Sequence, residues 1–149
     1  MASSAAAVWR PIVTEILRER IEAGEPAWLP VRGRSMRPLL SRATRILVAR
    51  AARIRIGDLL AYECEGAIVC HRVLGRCGHV LLTRADHRGA EAERVTPAQV
   101  VGVVVAVERS GAVVDLTTRG RRALALVAAA RSIAGAGWAA ARRRWWPRS

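Results

Sequence analysis

Ser35, His71 and Asp86 are the residues whose types and order could do chemistry. Ser35 lies in "RGRSMRPLL", residues 32–40, among arginines and ahead of Pro38. It reads either as a turn residue or as a nucleophile. A serine hydroxyl attacks poorly until a base removes its proton. Lysine cannot be that base, because all 25 basic residues are arginine. The base must be His, Asp or Glu. His71 falls inside the apolar run "AIVCHRVLG", where a titratable group needs a reason. It is either a hydrogen-bonded core histidine or a base. His79 and His87 fall at a turn and in a loop. Asp86 closes the run in "LLTRADHRG". It is either a turn acid or the group that orients a histidine and stabilises its cation.

The elements that must position these residues follow from the patterning. "VWRPIVTEILRERIE", residues 8–22, places Val8, Ile12 and Ile16, with Leu17, on one helical face. Arg18, Glu19, Arg20 and Glu22 cover the other, and Gly24 and Pro26 stop the helix. The helix can pack on the domain or lie on a membrane surface. From residue 30 onward, short Val/Ile/Leu runs replace this pattern at 45–50, 58–64, 67–76, 79–85, 99–109 and 111–118. Runs of this length read as strands. The pairs Glu65-Gly66, Cys77-Gly78 and Ser110-Gly111 supply turns between them. The expected fold class is therefore mainly β: a small antiparallel domain over 31–118, with helical segments at 1–30 and 119–149.

The C-terminal segment is rich in alanine, "ALALVAAARSIAGAGWAAA" at 123–141, followed by "RRRWWPRS". Arg131 near its middle costs ~2.5–3.5 kcal/mol on insertion scales, which argues against spanning a membrane. A helix lying on an anionic surface, with Trp138, Trp145 and Trp146 at the interface, is one reading. A helix packed on the domain with a frayed basic tail is the other.

Composition limits the function classes. A chain of 149 residues that is 52 % hydrophobic suits one folded domain, and with no Phe its core rests on Val, Leu, Ile and Ala. A net charge of +13 favours anionic partners, a lipid surface or nucleic acid, unless the arginines only solvate a face. The N-terminus is not a clean signal peptide. Cys64, Cys70 and Cys77 are an odd set without a C-x-x-C pair and read as free thiols. Neither a metal nor an organic cofactor is expected.

Taken in order, "GRSMRPLL", "IGDLLAY", "IVCHRVLG", "LLTRAD" and "VVGVVVAV" resemble the signal peptidase (S26) family and its S24 relatives of the LexA type. The resemblance runs from about Val31 to Glu108. It implies that Ser35 is the nucleophile, that Met36 lines the site and that Pro38 shapes the turn. Where the bacterial branch places a lysine base, this chain has His71, followed by Arg72. A histidine there marks the archaeal and endoplasmic-reticulum type, which works by Ser–His. Asp86, in Thr83-Arg84-Ala85-Asp86, then takes the place of the orienting acid. Glu91 and Glu93 lie near the place of a second acid, and Gly57-Asp58 matches a structural turn. Gly33 stands where many members have a serine that helps hold the oxyanion, Arg37 stands where an acid is frequent, and the usual N-terminal anchor is not present.

The implied activity is serine endopeptidase cleavage after small residues, of the Ala-x-Ala kind. The partner is a peptide or precursor protein, and the place is peripheral to a membrane, or else cytoplasmic. Two other classes compete. One is a self-cleaving protein of the S24 type, whose members use lysine, with Ala23-Gly24 as its bond. The other is a basic β domain that binds lipid or nucleic acid without catalysis. Against nucleic acid, the β region carries one aromatic stacking residue, Tyr62, and no recognised binding motif.

Overall fold

The computed structural model describes residues 3–31, Met36, Leu40, 43–87 and 90–135. Helix α1 (Ser3–Glu22) leads into β1 (Ala27–Pro30) and β2 (Ala43–Ala49). Then follow β3 (Leu59–Cys64), β4 (Ala67–Cys77), β5 (Val80–Arg84) and β6 (Ala92–Val95). A 3₁₀ turn at Pro97–Gln99 leads to β7 (Val100–Arg109), β8 (Ala112–Asp115) and helix α2 (Arg119–Gly135). The strands form one antiparallel sheet in the order β1-β2-β7-β3-β4-β5-β6, curled into a half-barrel, with β8 on β7. The mainly β class expected from the runs is what the chain adopts.

Two tight turns explain the hairpins. Glu65 and Gly66 both take positive φ (50° and 74°), as do Ser110 and Gly111 (50° and 79°). Two successive left-handed residues make the primed turn whose twist matches paired strands. The first turn fixes the β3–β4 register, with Leu60 opposite His71 and Tyr62 opposite Val69.

Alternation along the strands then divides the apolar residues into two cores. Leu59, Ala61, Ile68 and Cys70 face one, together with Ile21, Met36, Leu40, Val48, Val104 and Val107. Leu60, Tyr62, Val69 and Val73 face the other, with Leu81 and Val95. Close approach of β2 to β7 requires Gly102: a Cβ there would stand 2.5 Å from the Ala49 carbonyl oxygen and 2.8 Å from Val48 Cγ1. Gly102→Ala must spread these strands, and overpacking of this kind costs roughly 1–3 kcal/mol. Urea unfolding should show a lower midpoint with an unchanged m value. A midpoint equal to wild type would contradict the tight crossing.

Of the α1 face read as apolar, which could pack on the domain or lie on a membrane surface, Ile12 and Ile16 are exposed, as is Val13. Thr14 and Ile21 are buried instead, and Leu17 packs on the first core. The reason is Arg18, on that same face. Its guanidinium donates to the carbonyls of Ala98 (2.7 Å) and Val100 (2.9 Å) and to Glu63 (3.2 Å). These contacts set the rotation of α1, because the head of a long side chain can be satisfied while its stem covers apolar surface.

Helix α2 packs on the domain. Gly57 lies at φ +92°, and a Cβ there would meet the Ala125 backbone at 3.1 Å. Arg122 donates to Asp58 (3.1 Å), and buried Arg84 donates to the Ser132 carbonyl (2.6 Å). That carbonyl is in the last turn of α2, where backbone acceptors lack helical partners and a cation is favoured. Leu124, Leu126 and Val127 remain exposed. Among the described residues, no helix is long and apolar enough to cross a membrane. Trp138, Trp145, Trp146 and the terminal arginines lie outside the described residues.

Candidate active site

Ser35 lies outside the described residues, as do Gly33, Arg34, Arg37 and Pro38. Its neighbour Met36 is buried and accepts a turn hydrogen bond from Leu40 N–H (2.9 Å). Met36 occupies the same core as Cys70, the residue just before His71. Met36 is thus anchored to the core that one face of β4 lines. Burial pushes the Cys70 thiol up to about 12, so it stays protonated and is a poor nucleophile.

His71 sits mid-strand on the opposite face of β4, within the Tyr62 environment. Its Nδ1 lies 2.8 Å from Tyr62 Oη, and the two rings meet edge to face with centroids 5.8 Å apart. Tyr62 Oη also hydrogen-bonds the Glu93 carboxylate, and Thr83 Oγ1 donates to it over 3.3 Å. Glu93 Oε2 is 3.5 Å from His71 Nδ1. Three strands beyond β4 supply these groups: Tyr62 from β3, Thr83 from β5 and Glu93 from β6. The pairing Thr83 opposite Glu93 brings the acid onto the same face.

The electrostatics follow from this packing. Burial is the largest influence on His71 and pushes its pKa below the ordinary 6.5. Glu93 and Asp86 oppose the shift, and His87 adds to it. The imidazole is therefore neutral at pH 7, with a lone pair available, as a base requires. Tyr62 moves the other way: burial first, then its bond to Glu93, raises its pKa far above that of a free phenol. It remains a protonated donor throughout the useful pH range.

Asp86, the expected orienting acid, has its bonded partner in Arg72. The structure gives its carboxylate to Arg72, which binds both oxygens, Nε to Oδ1 at 2.8 Å and Nη2 to Oδ2 at 2.6 Å. Arg72 is 3 % exposed, and its Nη1 donates to the Gly57 carbonyl at 2.9 Å. Asp86 favours the His71 cation only as a nearby charge. Of the two residues beside the imidazole, Tyr62 has no such role in the sequence reading, and Glu93 enters it only, with Glu91, as lying near the place of a second acid. The Glu65-Gly66 turn carried the signal for Tyr62, since a two-residue turn puts residues 60, 62, 69 and 71 on one face. For Glu93 the resemblance gives only a place near a second acid, and the edge strand β6 is what brings it to the ring.

Among the described residues, no group of three or more His, Cys, Asp and Glu side chains could hold a metal ion. All three cysteines are free thiols.

Comparison with known proteins agrees with the fold. No curated protein matches the chain. The model of the family described as peptidase S24-like matches residues 8–105, which is most of the sheet together with α1 from residue 8 onward. With its curled antiparallel sheet and that match over more than half its length, the chain belongs to the peptidase S24-like family.

Proposed function

We propose that this protein is a serine endopeptidase in which Ser35 attacks the peptide carbonyl and His71 is the general base. The observation that carries this reading is the His71 imidazole, bonded at Nδ1 to Tyr62 in an S24-like sheet whose chain contains no lysine. His71 takes the Ser35 proton as the Ser35 oxygen bonds to carbon. Backbone N–H near Ser35 steadies the oxyanion, and with Gly33 in place of a serine that backbone carries more of the charge. His71 then protonates the departing amine, and water releases the acyl group by the same route. The resemblance to signal peptidases of the Ser–His type supports substrates with small residues before the cut. An extended peptide would bind by adding to a strand edge.

The test is cleavage of an Ala-x-Ala peptide in the presence of anionic vesicles. Wild type should cut it and Ser35→Ala should not. Equal rates for the two would remove Ser35 from the mechanism.

Membership of the S24-like family also favours a second reading, cleavage in cis. Ala23 and Gly24 are exposed at the end of α1, within the matched region, but the bond lies only 11 residues before Ser35, a short reach for folding back in cis. In this case the purified chain would yield a fragment at a rate independent of its concentration, and Ser35→Ala would stay intact.

A further inference from the structure

The network around His71 fixes where its protons lie. A phenol has one proton and two lone pairs, and an ionised carboxylate only accepts. The Tyr62 proton therefore goes to Glu93. The lone pairs of Tyr62 Oη are left to accept from Thr83 Oγ1–H and from His71 Nδ1. For the last contact to be a hydrogen bond, Nδ1 must carry the imidazole proton. Nε2 is then the unprotonated nitrogen.

We infer that Tyr62 and Glu93 are the positioning residues of His71, the phenol passing the carboxylate's influence to the ring so that Nε2 is presented as the base. This rests on the reading of His71 as the general base and goes beyond it by naming what orients the ring. It gives Glu93 the role that a directly bonded acid has in a Ser–His–Asp triad. When Nε2 accepts the Ser35 proton, positive charge develops on a ring whose Nδ1 lies 3.5 Å from Glu93 Oε2. The carboxylate is on hand to stabilise that charge, and the phenol keeps the ring from turning.

Every group that faces the imidazole bears on this arrangement. Tyr62 comes from β3, Thr83, which bonds Tyr62, from β5, Glu93 from β6, and Asp86 and His87 from the segment after β5. Asp86 is tied to Arg72, and His87 disfavours the cation. Among the described residues, Glu93 combines a counter-charge with a bonded path to Nδ1.

The experiment is nitrogen-15 NMR of the histidine rings in the full chain, for wild type, Tyr62→Phe and Glu93→Gln. It is run beside the peptide assay across pH. Glu93 is half-exposed, so Glu93→Gln tests the idea even if the buried Tyr62→Phe folds poorly. In wild type, His71 should be protonated at Nδ1. Tyr62→Phe should lose that preference, and kcat should fall about 10²- to 10⁴-fold, the range spanned by general-base loss and by a triad acid replaced by its amide. Glu93→Gln should lower the pKa of His71 further and carry the acid limb of the rate profile down with it, because an anion that favours the cation has gone. A wild-type His71 protonated at Nε2, or a tautomer and titration unmoved by both substitutions, overturns the inference. So does an unchanged kcat in Tyr62→Phe. If wild type and Ser35→Ala are equally inert towards peptide, the peptidase reading fails by itself, and the ring's tautomer still decides what orients His71.

Discussion

His71→Ala should abolish peptide cleavage, by at least about 10³-fold, because loss of the base from a nucleophile–base pair removes nearly all of the catalysis the pair provides. The pH dependence of wild type makes the test specific. Only the neutral ring can take a proton from Ser35. Burial holds the His71 pKa below 6.5, so the acid limb should lie below that value instead of centring on it. Stability has the same sign. An unfolded chain binds the proton on its histidine near pH 6.5, whereas the folded chain resists it until a lower pH. Between those two values the unfolded state holds more protons, so stability falls as the pH is lowered through that window. It is fully present above 6.5. His71→Ala should lose this part of the pH dependence of the melting temperature while remaining folded at neutral pH. If peptide cleavage by wild type is flat from pH 7 to pH 5, or if His71→Ala keeps a normal rate, another group is the base.

Asp86→Ala should be the most damaging single change to the fold around the site. Arg72 is almost fully enclosed and has its charge balanced by Asp86. Removing the acid leaves a buried cation uncompensated, which typically costs about 3–5 kcal/mol. For a domain of this size that corresponds to a fall of about 10 °C in melting temperature. The damage should spread along the contacts of Arg72. Its third donor holds the Gly57 carbonyl, and Gly57 is where α2 rests. Replacing both members of the pair with apolar residues, Arg72→Met with Asp86→Leu, should recover much of the loss, since the desolvation cost disappears with the charges. Thermal melts followed by circular dichroism measure all three proteins. If Asp86→Ala melted with wild type yet cleaved nothing, Asp86 would return to the catalytic role that its sequence position suggests.

Asp86 illustrates what the sequence could and could not tell. The strands were legible because β-branched runs alternate with Gly-containing turns, and both primed turns fall at pairs visible in the sequence. The missed strands are β1 and β6. Each has four residues, the first ending in Pro30 and the second carrying Glu93 and Arg94, so neither shows a period of two. Which face of α1 packs was not legible, because counting apolar residues favours Ile12 and Ile16, whereas Arg18 is held by a carbonyl acceptor 80 residues away. At the site, His71 stood out as a polar residue in an apolar strand. Asp86 stood out as an acid after a strand, but its partner was the cation next to His71 in the chain. Arg72 and His71 point to opposite faces of β4, so an acid that reaches one does not bond the other.

The place of each strand in the sheet has a dynamic consequence. β7 is paired with β2 on one side and with β3 and then β8 on the other, so its amides exchange with solvent only when the sheet comes apart. β6 ends the strand order and pairs over four residues with β5. Short terminal strands open at a small fraction of the global unfolding free energy. His71 therefore rides on an interior strand that rarely opens, while Glu93 rides on one that frays. Each fraying event carries the carboxylate off and leaves the imidazole in apolar surroundings with less counter-charge, a weaker base until the edge closes. With His71 as the base and Glu93 as its counter-charge, base strength should follow how tightly the last strand is zipped, and warming should turn it down.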